Sequence, residues 1–377
     1  KVRIISKEPF PAAIDYLATT LAIHPAKYYK EVGPAGMNAK PVGSGPYKII
    51  EYIPGKSVTL ERNANYFKDS PKSAGKIGKV KIRFIPDRQT QMAEVMSGGE
   101  DLIMHVPKDQ AEKLKSLPHL QVLSGNTMRI VFLQMNTRDG TPAPELKDIR
   151  VRKAIAHAID REAIKRNTMR GLSIPAGIMV APGVNGHSND IDAPTKVDYD
   201  AAKKLLAEAG YPDGFELTIS STNDRYINDA QISQAVAQYL SRVGIKTTVD
   251  AMTRSVYFPK RAKREFSLPM GGWPAETGEA SALFQLWVAS LDAPKGQGTS
   301  NYGANYNPEF DKVYLPASNT VDSAKRKAGL EQATKIALDN VALIPLHFES
   351  SIWAFRKGLT YEGRRDQYTL ATSVKGK

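Results

Sequence analysis

Apolar and polar residues alternate over short stretches in the first third of the chain. Ser44-Gly45-Pro46-Tyr47-Lys48-Ile49-Ile50-Glu51-Tyr52-Ile53 runs into the turn dipeptide Pro54-Gly55, and Ser57-Val58-Thr59-Leu60-Glu61-Arg62 follows with a period of two. Two such runs about a tight turn predict a β-hairpin. Val80, Ile82 and Phe84 alternate with Lys79, Lys81 and Arg83, which predicts another half-buried strand. The opening Lys1-Val2-Arg3-Ile4-Ile5 also reads as a strand. Asp87 has the character of an N-cap, and Gly98-Gly99 stops the helix it starts.

From residue 126 the period changes. Arg129 to Asn136 is mostly apolar and strand-like. Asp148 precedes a helix whose apolar face carries Ile155, Ala158 and Ile159; Asp198 caps a second from about Tyr199 to Ala209, stopped by Gly210. Phe215, Leu217 and Ile219 alternate as a strand. Ile232, Ala235, Val236, Tyr239, Leu240 and Val243 recur at helical spacing, and Ile245, Thr247, Val249 and Ala251 form the next strand. Strand, helix, strand at these lengths predicts an α/β fold with a mostly parallel sheet and covering helices. The stretch from Gly271 to Asn307 is weakly periodic and reads as a long functional loop. A last helix is predicted from about Ser323 to Asp339, then a short buried strand from Ala342 to Leu346, then a basic, strand-like tail.

Composition narrows the function mainly by exclusion. The chain has 377 residues, enough for two or three domains. No run of about 18 consecutive apolar residues is present, so no helix is expected to span a membrane. There are no cysteines, which removes disulfides, thiolate metal sites and cysteine nucleophiles. The six histidines include no pair at helical spacing, and no metal-ligand motif occurs. Nucleophile-elbow, phosphate-loop and dinucleotide motifs are also missing; Pro46 denies Gly43-Ser44-Gly45 a backbone N–H that a phosphate cradle would use. No cofactor and no catalytic residue is implied. The net charge of +13 comes from scattered Lys and Arg without a nucleic-acid motif, and reads either as a solvated basic surface or as a site for an anionic partner. Gly272-Trp273-Pro274-Ala275-Glu276-Thr277-Gly278-Glu279 joins an aromatic platform to two carboxylates, as a cleft for an ammonium-bearing ligand would, or as a surface loop with a core Trp would.

Five segments, in order, resemble the family 5 extracellular solute-binding proteins. They are Pro41 to Lys48 with Leu60 to Phe67; Ile85-Pro86-Asp87 with Met96 to Leu102; Asp148 to Ile155 running through Arg161; Tyr199-Asp200 to Gly214-Phe215; and Gly272-Trp273 with Ser300-Asn301-Tyr302. The resemblance covers nearly the whole chain. It implies a two-lobed periplasmic-binding-protein fold of type II with a hinge. Residues 1–125 and 349–377 would form lobe I, incomplete at its N-terminus because family members carry further structure ahead of the segment Lys1 opens; 126–348 would form lobe II. It further implies a monomeric binding component of an ABC importer, in the periplasm or on the extracytoplasmic membrane surface. Such a component closes over a small-molecule or peptide ligand and delivers it to the permease subunits. An enzyme, chaperone or sensor on the same scaffold is the alternative.

In peptide-binding relatives an acid just after the Gly-Trp pair holds the ligand's α-ammonium; the matching residue here is Glu276. The Arg that holds a dipeptide's carboxylate matches about Ala230 and Gln231, so that contact is absent, and Arg129 near the expected hinge is a substitute cation or a structural Arg. Trp273, Thr277, Tyr226, Asn301 and Tyr302 complete the candidate site, the last three equally open to structural roles. The Thr277-Gly278-Glu279-Ala280 run resembles the glutathione-binding branch.

Overall fold

A computed structural model describes residues 3–303 and 307–376. The chain divides into two compact units. The smaller comprises Thr20–Gly125 and Ser351–Lys377; the larger comprises Asn126–Ser350 and the residues up to Thr19.

The first helix, α1 (Ala13–Thr20), follows an extended stretch. Both join the larger unit: Tyr16 Oη of α1 donates to Gln285 Oε1 at 3.1 Å, and Glu8 of the preceding stretch accepts from Asn319 Nδ2 at 3.0 Å. Residues 3–19 group with the larger unit, and these two bonds are among the contacts that tie them to it. Arg3 to Ile5 forms no strand, and Ile4 and Ile5 are exposed. A strand needs a neighbour's backbone groups, and among the described residues none bonds to residues 3–5; Lys1 and Val2 lie outside the described residues.

The smaller unit contains α2 (Ala26–Ala39), then the antiparallel sheet β1 (Tyr47–Ile53), β2 (Ser57–Arg62) and β3 (Lys79–Arg83). Gly55 at φ +70° makes the hairpin turn, a conformation open to glycine at little cost. The helix α3 (Arg88–Ser97) starts at Asp87, whose carboxylate accepts the Thr90 N–H at 2.7 Å, and stops at left-handed Gly98. After β4 (Leu102–Met104) and α4 (Lys108–Lys115), the 15-residue β5 (Leu120–Gln134) carries the chain into the larger unit.

There, helices α5 (Ile149–Ala158) and α6 (Arg161–Ala163), strand β6 (Ser173–Pro175) and α7 (Tyr199–Glu208) lead to an alternating run. It consists of β7 (Glu216–Thr222), α8 (Asp229–Ser241), β8 (Lys246–Met252), α9 (Arg254–Ala262) and β9 (Leu268–Pro274). Helices α10 (Ala280–Trp287), α11 (Pro308–Asn319) and α12 (Ser323–Asn340) follow, and β10 (Leu343–Arg356) returns to the smaller unit, ending in β11 (Leu359–Tyr361) and β12 (Val374–Gly376). The strand order β10-β5-β9-β7-β8 is mixed, not mostly parallel. β7 is parallel to both β8 and β9, because helices α8 and α9 supply the crossovers that parallel pairing demands. β5 is antiparallel to β9, and β10 to β6.

Alternation along β5 builds the core on both faces of this sheet. Val131 and Leu133 enter a cluster with α5, α7 and α8; Ile130 and Phe132 enter another with α10, α11 and α12. Two motif arginines fasten α5 and α6 to the chain around β10. Arg152 donates to the carbonyls of Leu146, Lys147 and Asn340, and Arg161 to those of Ala156, Ile159 and Pro345. Burial lowers the Arg161 pKa to about 10.

Candidate functional site

The Gly-Gly-Trp sequence occupies the middle of β9, opposite β5. Phe132 pairs with Gly271, Val131 with Gly272 and Ile130 with Trp273. Both glycines are required by what already fills their side-chain positions. A Cβ on Gly271 would lie 2.8 Å from the Phe132 ring and 3.1 Å from Arg261 Nη2; one on Gly272 would lie 2.5 Å from the Tyr226 ring. Tyr226, 4% exposed, thus sits behind β9, and burial raises its pKa against the pull of Arg261, Arg225 and Arg129.

On the other face, aromatic rings run in series. Trp273 meets Trp287 edge-on at 6.1 Å between centroids, and Trp287 meets Phe132 at 5.0 Å. The Arg261 guanidinium lies 4.4 Å from the Trp287 ring centroid and 5.3 Å from that of Tyr302. Arg261 is 4% exposed and donates through Nη2 to Gln134 Oε1 at 3.1 Å. Among the described residues no carboxylate pairs with it. Arg152 and Arg161 show the contrast, since backbone carbonyls surround both. The Nε of Arg261 and the indole nitrogens of Trp273 and Trp287 are buried N–H donors with no acceptor among the described residues. Each such donor costs about 1–3 kcal/mol, and a buried cation is normally paired. An acceptor oxygen would satisfy each of these donors. A small cavity of about 10 Å³ beside Arg261, lined by Gln134, Asn136 and Tyr302, has room for about one water-sized group.

Glu276 lies in the turn after β9, half-buried, its N–H donating to Pro274 O at 2.9 Å. Its charge acts on Arg129, whose Nε is 3.5 Å from Glu349 Oε2. Glu349 is 3% exposed and also accepts the Ile227 N–H at 3.1 Å. Burial lowers the Arg129 pKa, opposed by Glu349. Arg129 therefore serves Glu349 first. Thr277 is buried and donates to Glu279 O at 3.3 Å; Asn301 is buried and donates to Ala289 O at 3.2 Å. Trp273 joins the ring series and Tyr302 lies against the Arg261 guanidinium, whereas Thr277 and Asn301 hold backbone.

Glu279, the second acid of the motif, is committed to structure. Its carboxylate takes Arg326 Nε at 2.6 Å and also Arg326 Nη2, with Ser281 Oγ and Asn185 Nδ2 as further donors. Arg261, Trp287 and Gln134 were missed in the sequence. A signal existed for Arg261: Tyr257 is four residues earlier on α9 and is fully buried, so Arg261 shares its inward face.

The chain belongs to family 5 of the bacterial extracellular solute-binding proteins, whose family model ("Bacterial extracellular solute-binding proteins, family 5 Middle") matches residues 1–295. The glutathione-binding protein GsiB of Shigella dysenteriae serotype 1 (strain Sd197) is 30% identical over 370 residues, covering 95% of this chain and 69% of GsiB. The fold matches that of the periplasmic binding protein DppA of Helicobacter pylori, solved with the peptide STSA, at a TM-score of 0.83 and 22% identity over 98% of this chain and 71% of DppA. It also matches AgaA of A. tumefaciens R10, solved with agropinic acid, at 0.81 and 27% over 98% and 74% of the two chains.

Proposed function

We propose that this solute-binding protein is the extracytoplasmic substrate-binding component of an ABC importer and takes a small zwitterionic, peptide-like solute without converting it. The Arg261 cation carries this reading: it has no carboxylate partner among the described residues, and its own Nε and the nearby indole N–H groups of Trp273 and Trp287 have no acceptor there, which a ligand carboxylate would supply. Glu276, three residues past Trp273, supplies the opposite charge for an ammonium. Arg261 takes the part left open by Ala230 and Gln231. Glutathione, agropinic acid and a peptide, the ligands named for three relatives, all carry carboxylates, which agrees with an arginine at the centre of the site.

The test is a thermal-shift and calorimetric screen of glutathione, short peptides and opines against their amidated counterparts. A ligand that binds only the folded state raises the melting temperature by mass action. Free acids should bind saturably, and masking the carboxylate should weaken binding by about 1.5–3 kcal/mol, the scale of a hydrogen bond to a charged group. Equal binding of acids and amides would remove Arg261 from the site, and conversion of the bound ligand would replace transport by catalysis.

A further inference from the structure

The excess positive charge is unevenly divided. The smaller unit holds 22 of the 52 Lys and Arg residues but only 12 of the 39 acids, so it carries +10 of the total +13. Within it, residues 40–88 contain eleven cations and four acids. Part of this charge surrounds a depression of about 420 Å³, with Arg62, Lys68 and Lys72 in its lining, the rings of Tyr47 and Tyr66 beside them, and no acid. The wall is built firmly. Tyr47 Oη donates to Ile77 O at 2.8 Å, Asn63 Nδ2 to Gly45 O at 3.2 Å and Arg62 Nη2 to Ser73 O at 3.3 Å. Phe67, in sequence between the lining residues Tyr66 and Lys68, is 71% exposed and rests edge-on against Tyr66 with centroids 5.6 Å apart. An exposed phenyl ring beside three cations and two tyrosines has the composition of a membrane-interface patch: cations for lipid phosphates, aromatics for the headgroup boundary.

We infer that this face of the smaller unit, with Phe67 at its tip and Arg62, Lys68 and Lys72 around the depression, docks on an anionic phospholipid bilayer. Headgroup phosphates enter the depression and Phe67 enters the boundary with the acyl chains. Attraction of this kind acts within a Debye length, ~10 Å at 0.1 M salt, and weakens as salt rises. Docking of this kind needs no membrane-spanning helix. None of these side chains belongs to the solute site, so the two activities separate.

The experiment is co-sedimentation of the full chain with vesicles of phosphatidylglycerol and phosphatidylcholine, one part to two, against vesicles of phosphatidylcholine alone. Binding is expected to the mixed vesicles only and to fall as salt is raised. The double variant Lys68→Gln/Lys72→Gln should bind about 25-fold more weakly, at about five-fold per cation. Phe67→Ala should bind several-fold more weakly even in low salt, and all variants should keep the parent's melting temperature and solute affinity. Equal binding to both vesicle types, no binding to either, or unchanged binding by the double variant overturns the assignment. Displacement by inorganic phosphate at concentrations that leave ionic strength unchanged also overturns it, in favour of a free-anion site.

Discussion

Glu279 and Glu276 lie three residues apart in one motif, and the structure gives them opposite fates. Replacing Glu279 by Ala removes the acceptor of two Arg326 donors and of Ser281 and Asn185. Arg326, with its side chain 5% exposed, then keeps, among the described residues, the Ala317 and Ser318 carbonyls. Breaking one side of a buried, hydrogen-bonded ion pair costs about 3–5 kcal/mol, because the remaining charge stays buried. At about 2–4 °C per kcal/mol for a unit of this size, Glu279→Ala should lower the melting temperature by about 10 °C. Urea denaturation followed by tryptophan fluorescence should give the same loss at 25 °C. Glu279→Ala/Arg326→Met should lose less than the sum of the single changes, since it removes the stranded charge. Glu276→Gln should leave stability within about 0.5 kcal/mol and lower ligand affinity by about 1.5–3 kcal/mol. A melting shift below about 2 °C for Glu279→Ala would refute the structural role; unchanged affinity in Glu276→Gln would refute the binding role.

Arg261→Met keeps the volume against Trp287 and removes the cation. Calorimetry should show at least about a ten-fold loss of affinity for carboxylate ligands, and undiminished binding would sink the clamp. Gly272→Ala places a Cβ 2.5 Å from the Tyr226 ring and should destabilise by about 1–3 kcal/mol in urea titration; Tyr226→Leu in the same chain should recover part of that loss. His347, buried in β10 with neither ring nitrogen hydrogen-bonded among the described residues, has its pKa lowered from 6.5 to about 4 by burial. The unfolded chain therefore binds the extra proton first, and this contribution is full above pH 6.5 and is lost as pH falls toward 4. The loss should reach about 3 kcal/mol at the acid end, and His347→Leu should flatten that part of the urea-midpoint profile; an unchanged slope would show that other groups set it.

The parts of the fold written in local chemistry were legible. The hairpin about Pro54-Gly55, the Asp87, Asp148 and Asp198 caps and the α7–β7–α8–β8 run all follow from period and punctuation over ten or so residues. The illegible parts depend on distant partners. Helix α10 was read as loop because six of its eight residues are buried, so it shows no polar face to mark a period. β10 was read as a five-residue strand; it is 14 residues long and almost wholly buried, with no alternation to trace. Within the candidate site, Trp273 and Glu276 were visible because they adjoin the Gly-Gly pair. Arg261 was not, because its meaning rests on Trp287, Tyr302 and Gln134, each on a different element.

The bare backbone at Gly271 and Gly272 has a consequence for how the site can diverge. β9 contributes almost no side-chain atoms there; the positions its own residues would fill are taken by Phe132 and Arg261 on one face and Tyr226 on the other. The surroundings of the strand are thus set by residues borrowed from β5, α9 and the segment before α8. Each of these three can mutate separately while the strand's hydrogen-bond ladder stays as it is. A lineage built on this arrangement can change one borrowed residue at a time, whereas a change at either glycine requires the side chain that crowds it to change as well.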